Sequence, residues 1–290
     1  MQSLVLGATG IVGGYIVAQL IQAGQRPLAL SRSLRQGNDA DWIQGDLTNP
    51  AVLKLRAVEV LFCTVDIELL ADAIPYLDVT SLKRVVAFTS TSIVTKIESE
   101  IPAERELLRR LADGERRLIA ACEQRGIEWT ILRPTLIYAE GRDGNISRLA
   151  RLILKFSFLP LMGRAKGLRQ PVHAEDLAIG AIQAAGSQQA INKTYALPGG
   201  ETLTYREMIG RIFDALGKSR RIIAFPPWLW EAAFALAKPF LLNANAAMGR
   251  RMAKDMTFDP SSAIGDFGWN PRSFRPKFDE FEWPCRNERP

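Results

Sequence analysis

A chain of 290 residues with 47% hydrophobic and 23% charged side chains is long enough to bury roughly three quarters of its unfolded surface, so it needs no staples to fold. Cys63, Cys122 and Cys285 lie far apart without a CxxC pair, and a single histidine, His173, cannot complete a histidine-based zinc site, so no metal and no disulfide framework are expected. The formal charge of +6, from 37 basic and 31 acidic residues, is scattered except for small clusters at 218–221 and 250–254; it requires no nucleic acid and suits an anionic ligand equally well.

The first residues set the fold class. Ser3 to Leu6 is an apolar run, followed by Gly7-Ala8-Thr9-Gly10-Ile11-Val12-Gly13 and an amphipathic stretch to Ala23. This is a strand, a tight glycine turn and a helix. Gly7 permits the turn, Gly10 lets the backbone approach a phosphate, and Gly13 lets the helix pack closely on the strand. The helix N-terminus then offers unpaired N–H groups to a dinucleotide pyrophosphate. Because the strand opens the chain with no cleavable apolar segment before it, a reducing cytoplasm is the expected setting.

Further strands are expected at 27–30, 41–44, 58–62, 84–88 and 128–132, with a long amphipathic helix at 103–125 stopped by Gly126. Strands alternating with helices predict an α/β fold of Rossmann type, a doubly wound parallel sheet with helices on both faces. Ligands in such sheets lie beyond the C-terminal strand ends, here Gly7, Ser31, Cys63, Thr89 to Ser92 and Arg133 to Thr135. Beyond about residue 140 the pattern changes to helices at 146–156 and 175–185, a strand at 193–197 and further helices. The expected organisation is a nucleotide-binding domain at 1–140, a smaller, mostly helical substrate-facing part at 141–285 interleaved with the sheet, and a tail at 286–290. The segment 225–242, rich in Trp, Phe and Pro, is short for a membrane crossing; it reads as a core or interface helix, or as an interfacial membrane helix giving peripheral contact.

At the end of the second strand, where an NAD site usually has an acid, the chain reads Ser31-Arg32-Ser33. Arg32 there suits a 2′-phosphate, with Ser31 and Ser33 as donors, which favours NADP(H) over NAD(H). A surface arginine is the plainer reading. Asp46 is placed to reach an adenine amino group or to cap the turn before Asn49 and Pro50. His173 reads as a structural, hydrogen-bonded histidine, and Lys96 as a loop lysine or a group near the nicotinamide.

These segments, together with Gly45-Asp46-Leu47, Thr89-Ser90-Thr91-Ser92, Leu132-Arg133-Pro134-Thr135-Leu136-Ile137-Tyr138, Pro171-Val172-His173-Ala174-Glu175-Asp176-Leu177-Ala178 and Phe267-Gly268-Trp269-Asn270-Pro271, resemble the extended and atypical short-chain dehydrogenase/reductase superfamily. That group contains nucleotide-sugar epimerases and dehydratases. The resemblance implies a cofactor held by Gly7, Thr9, Gly10, Ile11, Val12, Gly13, Ser31, Arg32, Asp46, Leu47, Cys63, Thr64 and Pro134, with the nicotinamide between Ser90 or Ser92 and the Arg133-Pro134-Thr135 segment. It also implies a substrate diphosphate near Arg169, Gln170 and Asn145. The family's catalytic Tyr, and the Lys four residues later that lowers its pKa, are missing. Where they align the chain reads Leu111-Ala112-Asp113-Gly114-Glu115, and 103–125 holds neither Tyr nor Lys. Ser90, Ser92, Lys96 and Tyr138 are the remaining catalytic candidates. Two functions follow: an NADP(H)-binding oxidoreductase or epimerase-like protein acting on a small or nucleotide-linked hydroxy or keto compound, or a non-catalytic NADP(H)-binding sensor, scaffold or assembly factor.

Overall fold

The computed structural model describes residues 2–35, 37, 39–50, 57–77, 80–96, 99–237 and 246–278. Cys285, residues 238–242 of the aromatic segment and the tail 286–290 lie outside them. The chain divides into two compact units, each interrupted in sequence. The first comprises 1–135, 174–198 and 258–271; the second comprises 136–173, 199–257 and 272–290. The chain leaves the first unit after its sixth strand and returns to it twice.

The first unit is built on seven parallel strands. They are β1 (Ser3–Leu6), β2 (Leu28–Ser31), β3 (Asp41–Gln44), β4 (Val60–Cys63), β5 (Arg84–Phe88), β6 (Glu128–Pro134) and β11 (Lys193–Leu197), in the order β11-β6-β5-β4-β1-β2-β3. β1, β2, β4 and β5 are buried throughout, which is why they read as continuous apolar runs rather than alternating ones. Alternation decides which face each side chain serves. Leu4, Leu6, Leu28, Leu30, Leu61, Val85 and Ile131 join one core with residues of α2 (Ile67–Ala73) and α4 (Pro102–Glu123). Helices α1 (Ile11–Gln22) and α6 (Ala174–Gly186) pack on each other, α6 also against β5 and β6. A short α3 (Ser92–Thr95) follows β5, and α10 (Ser261–Phe267) rests on α6 and β11. The Trp269 indole donates to the Pro198 carbonyl at 3.1 Å and covers Gly180, where a Cβ would stand 2.5 Å from the ring. The late Phe267-Gly268-Trp269 segment is thus a clamp that returns the chain to the sheet.

The second unit holds three two-stranded pairs: β7 (Ile137–Tyr138) with β10 (Val172–His173), β9 (Leu168–Arg169) with β12 (Leu203–Thr204), and β8 (Leu159–Met162) with β13 (Ile222–Phe225). Its core joins α5 (Ile146–Phe156) and α7 (Tyr205–Ala215) through Ile146, Ala150, Ile153, Ile209 and Phe213, with Tyr138 and Phe274. α8 (Pro227–Ala237) and α9 (Ala246–Arg251) complete it. Thr204 caps α7, its hydroxyl accepting from the Glu207 N–H at 3.1 Å, as a Thr-x-x-Glu start predicts. No described helix is long and apolar enough to cross a membrane.

α5 stops on Ser157, whose φ of 61° lies in the left-handed region. A side chain there costs about 1–2 kcal/mol, against which glycine loses about 0.5–1 kcal/mol of chain entropy. Ser157→Gly is therefore expected to raise stability by about 0.5–1 kcal/mol, read as a higher midpoint in urea unfolding; a lower midpoint refutes the relief of strain.

Candidate functional site

The turn from β1 to α1 is shaped by contacts that leave no room for side chains. Gly7 has φ of 79°, and a Cβ on it would lie 2.5 Å from Thr64 Oγ1 and 2.9 Å from Val65 Cγ1. Thr64 in turn donates its hydroxyl to the carbonyls of Leu6 and Gly7 at 3.0 and 3.2 Å, tying the turn to the end of β4. Within the turn the Gly10 N–H donates to the Gly7 carbonyl at 2.8 Å. Gly13 presses α1 against the same place: its Cβ would stand 2.7 Å from the Gly7 carbonyl carbon. α1 begins at Gly10 with no side-chain cap and no acid in its first turn. Its first N–H groups lack intrahelical acceptors, and no acidic side chain in that turn opposes an anion.

Beside this turn lies a cleft of about 410 Å³, open at the C-terminal strand ends. Gly7, Thr9, Gly10, Ser31, Arg32, Asp46, Leu47 and Thr64 line it. A cradle of this form, in which side chains on the glycines would collide, fits a dinucleotide. Ile11, Val12 and Gly13 belong to the first turn of α1, with Val12 and Gly13 packed inward. Cys63 is buried at the end of β4; burial pushes its thiol up to about 12. Pro134 ends β6, where its carbonyl accepts the Thr91 hydroxyl at 3.0 Å.

Two side chains of the cleft have fixed local roles. Asp46 accepts the Thr48 N–H at 2.9 Å; hydrogen bonds from the Thr48 backbone and hydroxyl, with the Arg32 charge adding, hold its carboxyl below the ordinary value. Ser31 Oγ accepts the Ser33 N–H at 3.3 Å, which turns the chain so that Arg32 is exposed at the cleft. Sequence reasoning missed Thr48, Val65, Asp66 and Leu69, which also line it. Asp46-x-Thr48 was a readable turn signal; the others lie one turn past β4, beyond where a strand-end rule looks.

At the ends of β5 and β6 the arrangement is different. Ser90 Oγ accepts the Ser92 N–H at 3.1 Å, and Lys96 is ion-paired with Glu104 at 3.3 Å. Glu115 is buried on α4. Its carboxylate accepts the Thr89 hydroxyl at 2.5 Å and the Arg133 Nε–H at 3.0 Å, and its second oxygen pairs with Arg133 Nη2. Glu115 on α4 is thus locked to a guanidinium from β6.

The remaining candidates belong to the second unit. Tyr138 is buried, edge-on to His173 and Phe274 at 5.1 and 5.0 Å between ring centroids. His173 Nε2 lies 3.2 Å from Glu140 Oε2, and Glu140 Oε1 accepts the Lys277 N–H at 3.0 Å. Burial raises the Glu140 carboxyl, but the bonds from His173 and backbone N–H groups outweigh it and hold it low. Asn145 stands at the N-terminal end of α5 without a side-chain cap bond and donates its amide to the Ile137 carbonyl at 3.1 Å. Arg169 is buried, donating to the carbonyls of Leu168, Lys254 and Arg251 at 2.7, 2.7 and 2.5 Å, over the Tyr205 ring. Its guanidinium fastens the 251–254 backbone to its own segment at Leu168.

Against known proteins, a family profile described as NAD(P)H-binding matches residues 7–151, half of the chain. The UDP-glucose 4-epimerase of Vibrio cholerae is 24% identical over 160 residues, covering 55% of this chain and 47% of its own length. The mitochondrial NADH dehydrogenase [ubiquinone] 1 alpha subcomplex subunit 9 of Arabidopsis thaliana is 26% identical over 266 residues, covering 82% of this chain and 63% of its own. The chain thus spans less than two thirds of either relative. Among solved structures, UDP-glucuronic acid 4-epimerase from Bacillus cereus, in complex with UDP-glucuronic acid and NAD, superposes with a TM-score of 0.70 at 14% identity, covering 94% of this chain and 95% of that one. At that identity the likeness is one of fold.

Proposed function

The chain belongs to the NAD(P)H-binding family, and from that premise we propose that it binds NADP(H) and works as an oxidoreductase or epimerase-like protein on a small or nucleotide-linked hydroxy or keto compound. The observation that carries the cofactor choice is Arg32, exposed on the cleft at the end of β2 where no acid stands. NADP(H) when bound supplies or accepts a hydride. The chain's own part is to hold the nucleotide by the Gly7–Gly13 turn and to fix its adenine end beside Asp46 and Leu47. The epimerase relative and the structural neighbour bound to UDP-glucuronic acid support a nucleotide-linked substrate. In this reading the acid–base step falls to Ser90, Ser92, Lys96 or Tyr138, and Asn145 and Arg169 serve the substrate side, Arg169 by ordering the backbone around it.

A second reading, binding without turnover, has its own observation. Glu115 is locked to Arg133 and Thr89, Lys96 is ion-paired, and Tyr138 is buried, so among these described candidates no phenol with a neighbouring ammonium stands ready to take a proton. The relative that is a complex subunit supports an assembly role.

Fluorescence titration with NADPH and NADH, followed by single-turnover assays on a panel of carbonyl compounds, separates them. Arg32→Ala is expected to weaken NADPH by about 10- to 100-fold, since a charge-assisted hydrogen bond contributes about 1.5–3 kcal/mol, and to leave NADH nearly unchanged. Equal weakening of both overturns the 2′-phosphate assignment. Tight NADPH binding with no hydride transfer across the panel selects the second reading.

A further inference from the structure

The second unit carries a surface that nucleotide binding does not use. α5 reads Ile-Ser-Arg-Leu-Ala-Arg-Leu-Ile-Leu-Lys-Phe, with no acid in it. Ile146, Ala150 and Ile153 point into the core, while Arg148, Arg151 and Lys155 are exposed, within an arc of about 60° at roughly 100° per residue. The left-handed Ser157 then turns the chain so that Phe156 and Phe158 stand side by side, 6.4 Å between ring centroids. They are 51% and 38% exposed, with the Lys155 ammonium 5.2 Å from the Phe156 ring.

Phe158 leads into β8, and the Leu159 N–H donates to the Arg221 carbonyl at 3.0 Å. The parallel register pairs Leu159 with Ile222 and Pro160 with Ile223. Leu159 and Ile222 pack on the core, so alternation brings Arg221, Ile223 and Phe158 to the outer face of the ribbon, and all three are exposed. β13 runs on into α8, whose Trp228 is 70% exposed.

We infer that this face docks on an anionic phospholipid surface. Arg148, Arg151, Lys155 and Arg221 present positive charge, whereas the adjacent Arg220 is neutralised by Asp214 and Glu207. Cations beside exposed Phe, with an exposed Trp on the helix that follows β13, match a headgroup region, where aromatic rings enter the interface and basic side chains meet the lipid charge. A nucleic acid would meet the cations but leave Phe156, Phe158, Ile223 and Trp228 in water. The contact is peripheral, the apolar side chains being too few for insertion of a helix.

Co-sedimentation of the full chain with vesicles tests this. The protein is expected to bind phosphatidylcholine vesicles containing about 30% phosphatidylglycerol at least about tenfold better than phosphatidylcholine alone, and to be released at about 0.5 M salt. The double variants Arg151→Glu with Lys155→Glu and Phe156→Ser with Phe158→Ser are each expected to lose about tenfold or more of that binding, with NADPH affinity unchanged. Trp228→Ser, on a separate element, gives an independent reduction. Binding with no preference for phosphatidylglycerol, full binding by both double variants, or a shift of the wild-type oligomer on size-exclusion that the Phe variants abolish while vesicles go unbound would each overturn the inference. Binding to duplex DNA in place of vesicles would overturn it as well.

Discussion

Gly13→Ala is expected to destabilise the chain and weaken nucleotide binding together. Alanine in a helix interior ordinarily gains about 1 kcal/mol over glycine, so propensity alone predicts a more stable protein. Packing opposes it. The new Cβ would stand 2.7 Å from the Gly7 carbonyl carbon and 2.8 Å from Thr64 Oγ1. Neither can rotate aside, because the Thr64 hydroxyl bonds the Leu6 and Gly7 carbonyls and Gly7 accepts from Gly10. Overpacking costs about 1–3 kcal/mol, at the upper end against a fixed backbone; after the propensity gain a net loss of about 1–2 kcal/mol is expected, seen in urea unfolding, with NADPH affinity lowered with it. Gly10→Ala is the contrasting case. Its nearest neighbour would be the Gly7 carbonyl oxygen at 3.1 Å, a contact that small shifts relieve, yet Gly10 lines the cleft. That variant should fold near wild type and still lose the nucleotide. If Gly13→Ala folds and binds normally, the turn is not the phosphate cradle.

Much of the sheet is legible from local pattern because its determinants are local. The expected strands at 41–44, 84–88 and 193–197 and the helix at 146–156 coincide with β3, β5, β11 and α5. β2 and β4 start one and two residues later than expected, at Leu28 and Val60, where pairing with β1 decides the boundary. The glycine turn is legible for the same reason: strand, turn and helix are contiguous. What is not legible depends on partners distant in sequence. Nothing near Arg169 announces that Arg251 and Lys254, more than eighty residues on, supply its acceptors. The return of 258–271 to the first unit depends on a groove over Gly180 that only the assembled α6 provides. Glu115 looks like one more charge on a charged helix until β6 brings Arg133 against it.

That pair carries the second large effect. Glu115 and Arg133 side chains are 6% and 26% exposed, so removing the carboxylate strands a partly buried guanidinium and an unpartnered Thr89 hydroxyl. Breaking a buried ion pair by deleting one partner costs about 3–5 kcal/mol; the residual exposure of Arg133 places Glu115→Ala at about 2–4 kcal/mol. Glu115→Gln keeps an oxygen for one donor and is expected to cost about half as much. Glu115→Lys should be the worst of the three, because its ammonium would face Arg133 with no anion between them. The expected order of stability in urea unfolding is Gln above Ala above Lys, and Arg133→Ala combined with Glu115→Ala should recover part of the loss relative to the single changes added. Additive losses in that cycle would mean that the two side chains stabilise the fold separately. If Glu115→Lys is the least stable, position 115 accepts a lysine only when the charge on β6 changes with it.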